Sequence, residues 1–247
     1  MKAVVLAGGK GTRLGPYTKV LPKPLMPIGD MPILEVILRQ MKSAGVDKVI
    51  LTVGHLSELL RAFFQDGHQW GLQIEYSYEQ CPLGTAGPLA LIDDLTEPFL
   101  VTNGDVLTTL HFQDLIDFHT QQHAAASIAV HHRKVKIDLG VIQWNGTPRI
   151  NGYIEKPTYD YCVSMGIYMF EPRVLSYIPR GEYLDFPDLV KKLIAAGEEV
   201  VGYQYDGYWQ DLGRPDDYEM ASQDFEKMHA EFLPEEDCND KLANSPV

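Results

Sequence analysis

A buried-strand signal running straight into glycines limits the folds open to this chain more than any other feature. Ala3-Val4-Val5-Leu6-Ala7 is a short apolar run, and Gly8-Gly9-Lys10-Gly11-Thr12-Arg13-Leu14 follows without a break. An apolar run of this length bounded by glycine fits a strand covered on both faces, as in parallel sheets. Glycines just past such a strand let the backbone approach a ligand and aim N–H groups at phosphate oxygens. Two familiar phosphate loops do not fit. Walker A needs a glycine five residues before the Gly-Lys pair, where Val4 stands, and Ser or Thr after Lys10, where Gly11 stands. The dinucleotide fingerprint can start at Gly9 and Gly11, but its third glycine position holds Leu14. What remains is a glycine loop carrying Lys10 and Arg13, followed by Lys23 within Pro22-Lys23-Pro24-Leu25. Arg13 offers phosphate a planar fork, Lys23 a point charge, and the flanking prolines stiffen its backbone.

Strand and helix signals alternate through the first hundred residues. Strands are predicted over 4–7, 48–53, 73–78 and 99–101, and helices over 33–44, 57–64 and 86–94, with Ser57 as a helix cap and Gly45 as a stop. This βαβαβ rhythm implies an α/β fold with a mainly parallel sheet covered by helices. After Asp105 the rhythm changes. A helix over 110–123 is followed by strands over 127–132, 139–144, 150–155 and 164–170, then by helices over 186–196 and 215–229 on either side of a strand over 200–205. No linker-like stretch splits the chain, so one domain over 1–233 and a polar tail over 234–247 are expected.

Charge narrows the partners. Lys and Arg number 21 against 34 Asp and Glu among 247 residues, a net charge of −13 that repels nucleic-acid phosphates and anionic lipid over the surface as a whole. Neither nucleic acid nor membrane is an expected partner, and any bound anion needs a pocket where local cations and N–H donors prevail. Cys81, Cys162 and Cys238 are few and widely spaced with no C-x-x-C, which fits reduced thiols. No apolar run approaches the roughly 20 residues of a membrane helix, and the apolar start is too short for a signal-peptide core, so a cytoplasmic protein is expected.

Leu6-Ala7-Gly8-Gly9-Lys10-Gly11-Thr12-Arg13-Leu14 followed by Pro22-Lys23-Pro24-Leu25 closely resembles the signature of sugar-1-phosphate nucleotidyltransferases, the nucleoside-diphosphate-sugar pyrophosphorylases. Further segments match in order: Pro82-Leu83-Gly84-Thr85-Ala86-Gly87-Pro88-Leu89, Asn103-Gly104-Asp105, Ile154-Glu155-Lys156-Pro157, Gly166-Ile167-Tyr168 and Trp209-Gln210-Asp211-Leu212-Gly213. The resemblance implies a Rossmann-like three-layer α/β/α sandwich with a mixed, mainly parallel central sheet, the nucleotide-diphospho-sugar transferase fold. Two departures stand out. Gly15 and Tyr17 replace a basic residue and a leucine, and Val163-Ser164-Met165 lacks the usual Asn-Ala before Gly166. Longer members append a left-handed β-helix, which this chain is too short to carry, so no acyltransferase or regulatory domain is expected.

The activity implied is attack of a sugar-1-phosphate oxygen on the α-phosphorus of an NTP, releasing pyrophosphate. Because the nucleophile is already anionic, the obstacle is the mutual repulsion of two polyanions, and the remedy is placed cations. By resemblance, Arg13, Lys23 and Asp105 are catalytic. The nucleotide is held by Leu6, Ala7, Gly8, Gly9, Gly11, Thr12 and Arg13, with Glu79, Pro82, Gly84 and Thr85 around the base. Gly140, Glu155, Lys156 and Gly166 hold the sugar phosphate, and Asp105 and Asp211 hold one Mg²⁺. Taken alone, Asn103-Gly104-Asp105 reads equally as a turn, Asp211 as a cap or loop carboxylate, and Glu155-Lys156 as solvated surface charge.

Glu79 precedes the Leu83–Gly87 loop where the resemblance places a base-reading side chain. A carboxylate only accepts hydrogen bonds, which suits the N1–H and N2 amino donors of guanine, whereas an amide suits uracil or thymine. GTP is therefore the favoured nucleotide, with mannose 1-phosphate or a related hexose or heptose 1-phosphate as acceptor. The Pro-Leu-Gly-Thr-Ala-Gly-Pro-Leu segment is itself most similar to mannose-1-phosphate guanylyltransferases and their heptose-phosphate relatives. The alternatives are uridylyl or thymidylyl transfer to glucose 1-phosphate, a non-catalytic nucleotide-sugar sensor, and, disfavoured by Leu14, an NAD-dependent dehydrogenase. A homo-oligomer is an expectation of the resemblance only. His119 and His123 share a helical spacing but lack a third ligand and read as surface residues, and Tyr203, Tyr205, Tyr208 and Trp209 read as core packing.

Overall fold

The computed structural model describes residues 1–233. The expected polar tail, 234–247, and Cys238 within it lie outside the described residues. In chain order the first elements are β1 (Lys2–Leu6), β2 (Pro27–Ile28), β3 (Met31–Pro32), α1 (Ile33–Ser43), β4 (Lys48–Val53), α2 (Ser57–Phe64), β5 (Gln73–Tyr78), β6 (Phe99–Asn103) and β7 (Val106–Thr108). There follow α3 (Phe112–Gln122), β8 (Ala126–Lys136), β9 (Val141–Trp144), β10 (Ile150–Ile154), β11 (Thr158–Phe170), α4 (Phe186–Ala195), β12 (Val200–Gln204), β13 (Trp209–Asp211), α5 (Pro215–Lys227) and α6 (His229–Phe232).

Seven strands form the central sheet in the order β12-β8-β11-β6-β1-β4-β5. The ladders of β1 with β4 and β6, of β4 with β5 and of β8 with β12 are parallel, and β11 runs against both β6 and β8. The sheet is thus mixed and mainly parallel, as expected. Side chains alternate across β1, and they separate two cores: Ala3 and Val5 pack with α1, α2, α3 and α5, while Val4 packs on the other face with Phe170 and, from α4, Phe186, Leu189 and Leu193. This is the three-layer arrangement. α1 presents Ile33, Leu34, Ile37, Leu38 and Met41 to the first core, and Gly45, at φ +74, ends the segment. Gln40 is the buried polar exception on α1; its Nε2 donates to the carbonyls of Thr108 and Phe232, both at 2.8 Å, and so ties β7 and α6 to the helix.

Some local expectations give way. Ser57 is the first helical residue of α2 rather than its cap, because Leu56 takes the N-cap position at φ 57 with no side-chain cap bond. The helix expected over 86–94 is a 3-10 segment, Gly87–Leu91, in which Leu89 N–H reaches back only to Ala86 O and Pro88 contributes no donor. β8 and β11 extend as a long antiparallel pair well past the ends read from sequence. His119 is buried rather than on the surface, with Nδ1 2.8 Å from Ser127 Oγ, while His123 lies just past α3 at φ 54. The aromatic cluster does pack on the core, Tyr203 against Phe118 and Tyr208 against Phe232. Cys81 and Cys162 are free and exposed. No helix among the described residues is long and apolar enough to cross a membrane.

Candidate active site

After β1 the chain continues to β4 on one side, while β6 lies on the other, so the strand order reverses at the β1–β6 pair. Open α/β sheets bind ligands at such a reversal, beyond the carboxyl ends of the strands. Leu6 pairs with Asn103 at those ends, which brings the Ala7–Leu14 loop beside Gly104-Asp105. Ala7 N–H still bonds Thr52 O at 2.9 Å, and beyond it the chain leaves the sheet. Gly11 turns at φ +57, Thr18 Oγ1 donates to its carbonyl at 2.8 Å, and the 3-10 turn Thr12–Leu14 drives Leu14 into the core. The residue that breaks the dinucleotide fingerprint is therefore the anchor of the loop.

A cleft of about 270 Å³ opens there. Leu6, Ala7, Gly9, Gly11, Thr12 and Arg13 line it from the loop, and Lys23, Pro24, Gly104, Asp105 and Gly213 complete it. Gly8 turns aside, toward Glu79: a Cβ on it would lie 2.7 Å from Glu79 Oε1. Gly213 faces the Arg13 guanidinium, where a Cβ would lie 3.1 Å from Nη2.

Lys23 is 7% exposed, and its ammonium is held by two carboxylates. It bonds Asp105 Oδ2 closely and lies 3.7 Å from Asp211 Oδ1. The two acids meet because β7 and β13 form a short antiparallel ladder that sets Asp211 opposite Val106, and Leu212 N–H donates to Asp105 O at 3.1 Å. Asp211 thus belongs to a strand, not to a loop. Burial pushes its pKa up, the charge of Asp105 adds to this, and Lys23 and Arg13 oppose it. Two acids converging on one cation is a donor set that fits Mg²⁺, which binds one or two carboxylates and takes other ligands from water and substrate. No cluster of three or more His, Cys, Asp or Glu suited to a metal occurs among the described residues, so an ion held by these two acids would take its remaining ligands from water and substrate.

The loop around Pro82–Thr85 is built by hydrogen bonds rather than left open. Glu79 Oε2 accepts Leu83 N–H at 3.0 Å, so the side chain expected to read the base also braces this loop; burial pushes its pKa up against that bond. Thr85 is engaged with Asp185, and the amides of Ala86 and Gly87 both bond Leu184 O. Gly84 turns at φ +79, with its α-carbon so close to Leu184 that a Cβ would lie 2.5 Å from the carbonyl oxygen. Pro82 is exposed beside it.

The residues expected to hold the sugar phosphate are not walls of the cleft. Gly166, at φ +75, packs on the Asn103 side chain and so touches the segment leading to Asp105. Gly140 faces the Tyr153 hydroxyl in the β9–β10 ribbon, and Glu155 and Lys156 are exposed beyond β10, Lys156 at φ 43. Sequence reasoning left Thr18, Asn103, Gly213 and Asp185 out of the site. Asn103 and Gly213 stand inside matched motifs, whereas Thr18 and Asp185 carry no motif signal.

A nucleotidyl transferase family profile matches residues 2–228. The chain belongs to the nucleotidyl transferase family. Among relatives, it is 34% identical over 241 residues to a UTP–glucose-1-phosphate uridylyltransferase of Synechocystis, covering 90% of this chain and 62% of the relative. It is 35% identical over 229 residues to a mannose-1-phosphate guanylyltransferase of Mycobacterium tuberculosis, covering 90% and 64%. This nucleotidyl transferase chain thus spans less than two thirds of the length of those relatives. A UDP-glucose pyrophosphorylase complexed with UDP-glucose superposes with a TM-score of 0.70 at 20% identity, covering 92% of this chain and 98% of that one. HddC from Yersinia pseudotuberculosis complexed with GMP-PN superposes with a TM-score of 0.67 at 22% identity, covering 91% and 99%. At these identities the two structures speak for the fold alone, the nucleotide-diphospho-sugar transferase fold.

Proposed function

We propose that this chain transfers a nucleotidyl group from an NTP to a sugar 1-phosphate, with GTP and mannose 1-phosphate as the preferred pair. The observation that carries this reading is the Lys23 ammonium set between Asp105 and Asp211 beside the cleft that the glycine loop lines. The loop amides and the Arg13 fork suit the β- and γ-phosphates, which leave together as pyrophosphate. Lys23, nearly buried and on a proline-stiffened backbone, is placed for charge on the α-phosphate, where a sugar-phosphate oxygen forms its bond to phosphorus as the bond to pyrophosphate breaks. Asp105 and Asp211 would hold Mg²⁺, which when bound supplies charge neutralisation and orientation for both substrates. Glu155 and Lys156 would contact the sugar hydroxyls and phosphate, and Gly140 and Gly166 would allow backbone approach. Glu79 keeps Oε1 as a second acceptor once Oε2 is taken by Leu83, which supports a base presenting donors, as guanine does.

Pyrophosphate release measured with each of four NTPs across hexose and heptose 1-phosphates tests the reading. GTP with mannose 1-phosphate is the pair expected to turn over fastest. Consumption of UTP or dTTP alone would replace it with uridylyl or thymidylyl transfer, the reading that the Synechocystis relative favours. Tight nucleotide-sugar binding without pyrophosphate release would make the chain a sensor.

A further inference from the structure

The Leu83–Gly87 loop and the start of α4 complete each other. Asp185 stands at the N-cap of α4, where a carboxylate ordinarily turns back to the second or third amide of its own helix. Here the helix has no side-chain cap bond. Oδ1 of Asp185 instead accepts from Thr85 N–H at 2.9 Å and from the Thr85 hydroxyl at 3.1 Å, and Oδ2 accepts from the Tyr183 hydroxyl at 2.7 Å. Thr85 Oγ1 in turn accepts Phe186 N–H at 2.8 Å, satisfying the first amide of the helix. The second helical residue, Pro187, has no amide to satisfy. The result is a reciprocal cap split between segments 100 residues apart. Its three donors, the Tyr183 hydroxyl foremost, hold the Asp185 carboxyl below the usual carboxylate range. Leu184 extends the seam, its N–H donating to Leu83 O at 2.9 Å and its carbonyl accepting from Ala86 and Gly87. A helix that gives away its own cap to shape a distant loop breaks a local rule, and such breaks gather at functional sites.

We propose that Asp185 is a positioning residue for nucleotide selection, holding the Leu83–Gly87 loop in the one shape that accepts the preferred base. This rests on the reading above that the loop faces the base. Asp185 touches no substrate itself. Without it the Thr85 anchor is lost, the loop populates other shapes, and apparent nucleotide affinity falls by the fraction of time the competent shape is absent.

Kinetics with each of the four NTPs on the wild type, Asp185→Ala, Asp185→Asn, Thr85→Val and the Asp185→Ala/Thr85→Val double variant decide the matter. KM for the preferred NTP is expected to rise about tenfold in each alanine or valine variant, and preference among bases to narrow. The double variant should be no worse than either single, since both remove one link. In the two Asp185 single variants, turnover and KM for the sugar phosphate should stay within about threefold, which a general loss of structure would not spare. Asp185→Asn keeps an acceptor for Thr85 and should recover most of the loss. If Asp185→Ala does not fold, Asp185→Asn and Thr85→Val carry the comparison. Unmoved NTP KM values in folded variants, or KM values for both substrates rising together, overturn this inference alone. A wild type that consumes no NTP overturns the proposed function and this inference with it.

Discussion

Asp211 is held where its own ionisation is disfavoured. Burial and the charge of Asp105 raise its pKa, so its unfavourable contribution to folding grows as pH climbs through the ordinary carboxylate value of 3.8 and is complete above the raised folded value. At pH 7 the Asp211→Asn variant should therefore melt at the same temperature as the wild type or higher, while pyrophosphate release falls by about 100-fold or more. A lower melting temperature with activity retained would make Asp211 structural. Lys23 has the opposite balance. Its ammonium is the cation shared by the pair, so Lys23→Met leaves two acids facing each other and should lose about 2 kcal/mol by urea titration, less than a fully buried pair because Asp105 is partly exposed. Adding Asp211→Asn to Lys23→Met should restore part of that loss.

The glycine loops make a contrast of the same kind one level up. Gly84 is required by geometry: at φ +79 with Leu184 O in the way, Gly84→Ala should cost about 2 kcal/mol, read from the urea midpoint. Gly9 has open space around it and lines the cleft, so Gly9→Ala should leave the melting temperature unchanged while KM for the NTP rises. Unchanged kinetics would mean no ligand approaches Gly9. The elements with a strong period were legible in the sequence: α1, β4 and β5 lie where apolar spacing places them, because burial on known faces wrote that spacing. β7 and β13 were not, since three residues carry no period, and the ladder they form is what turns Asp211 from a loop carboxylate into a partner of Asp105. Lys23, Asp105 and the glycine loop were legible as motifs. The Asp185–Thr85 exchange was hidden because an Asp before Phe-Pro reads as an ordinary helix cap, and nothing local marks its true partner. For Glu79 the sequence shows a base-reading acceptor but not that a backbone amide four residues on takes one of its oxygens.

Across the whole molecule, acid sensitivity has an identifiable source on the sheet's first-core face. His119 is buried between α3 and β8, with Nδ1 bonded to Ser127, Nε2 3.6 Å from Glu171 Oε1 and Nε2 without a hydrogen-bond partner. Burial lowers its pKa below the ordinary 6.5, with Glu171 opposing, so the fold prefers the neutral imidazole and the unfolded chain takes up a proton first. Stability from this group is full above that ordinary value and is lost as pH falls below it. Urea midpoints between pH 7 and 5 should therefore fall less steeply in His119→Gln than in the wild type; parallel curves would remove His119 as the cause. The β7–β13 ladder has a consequence in time as well as in space. During synthesis, Lys23 and Asp105 emerge from the ribosome early and can meet, but the second carboxylate is made only when residue 211 has been added. A nascent chain that has not yet reached β13 lacks half of its acid pair, so the two carboxylates come together only after nearly all of the described sheet has been made.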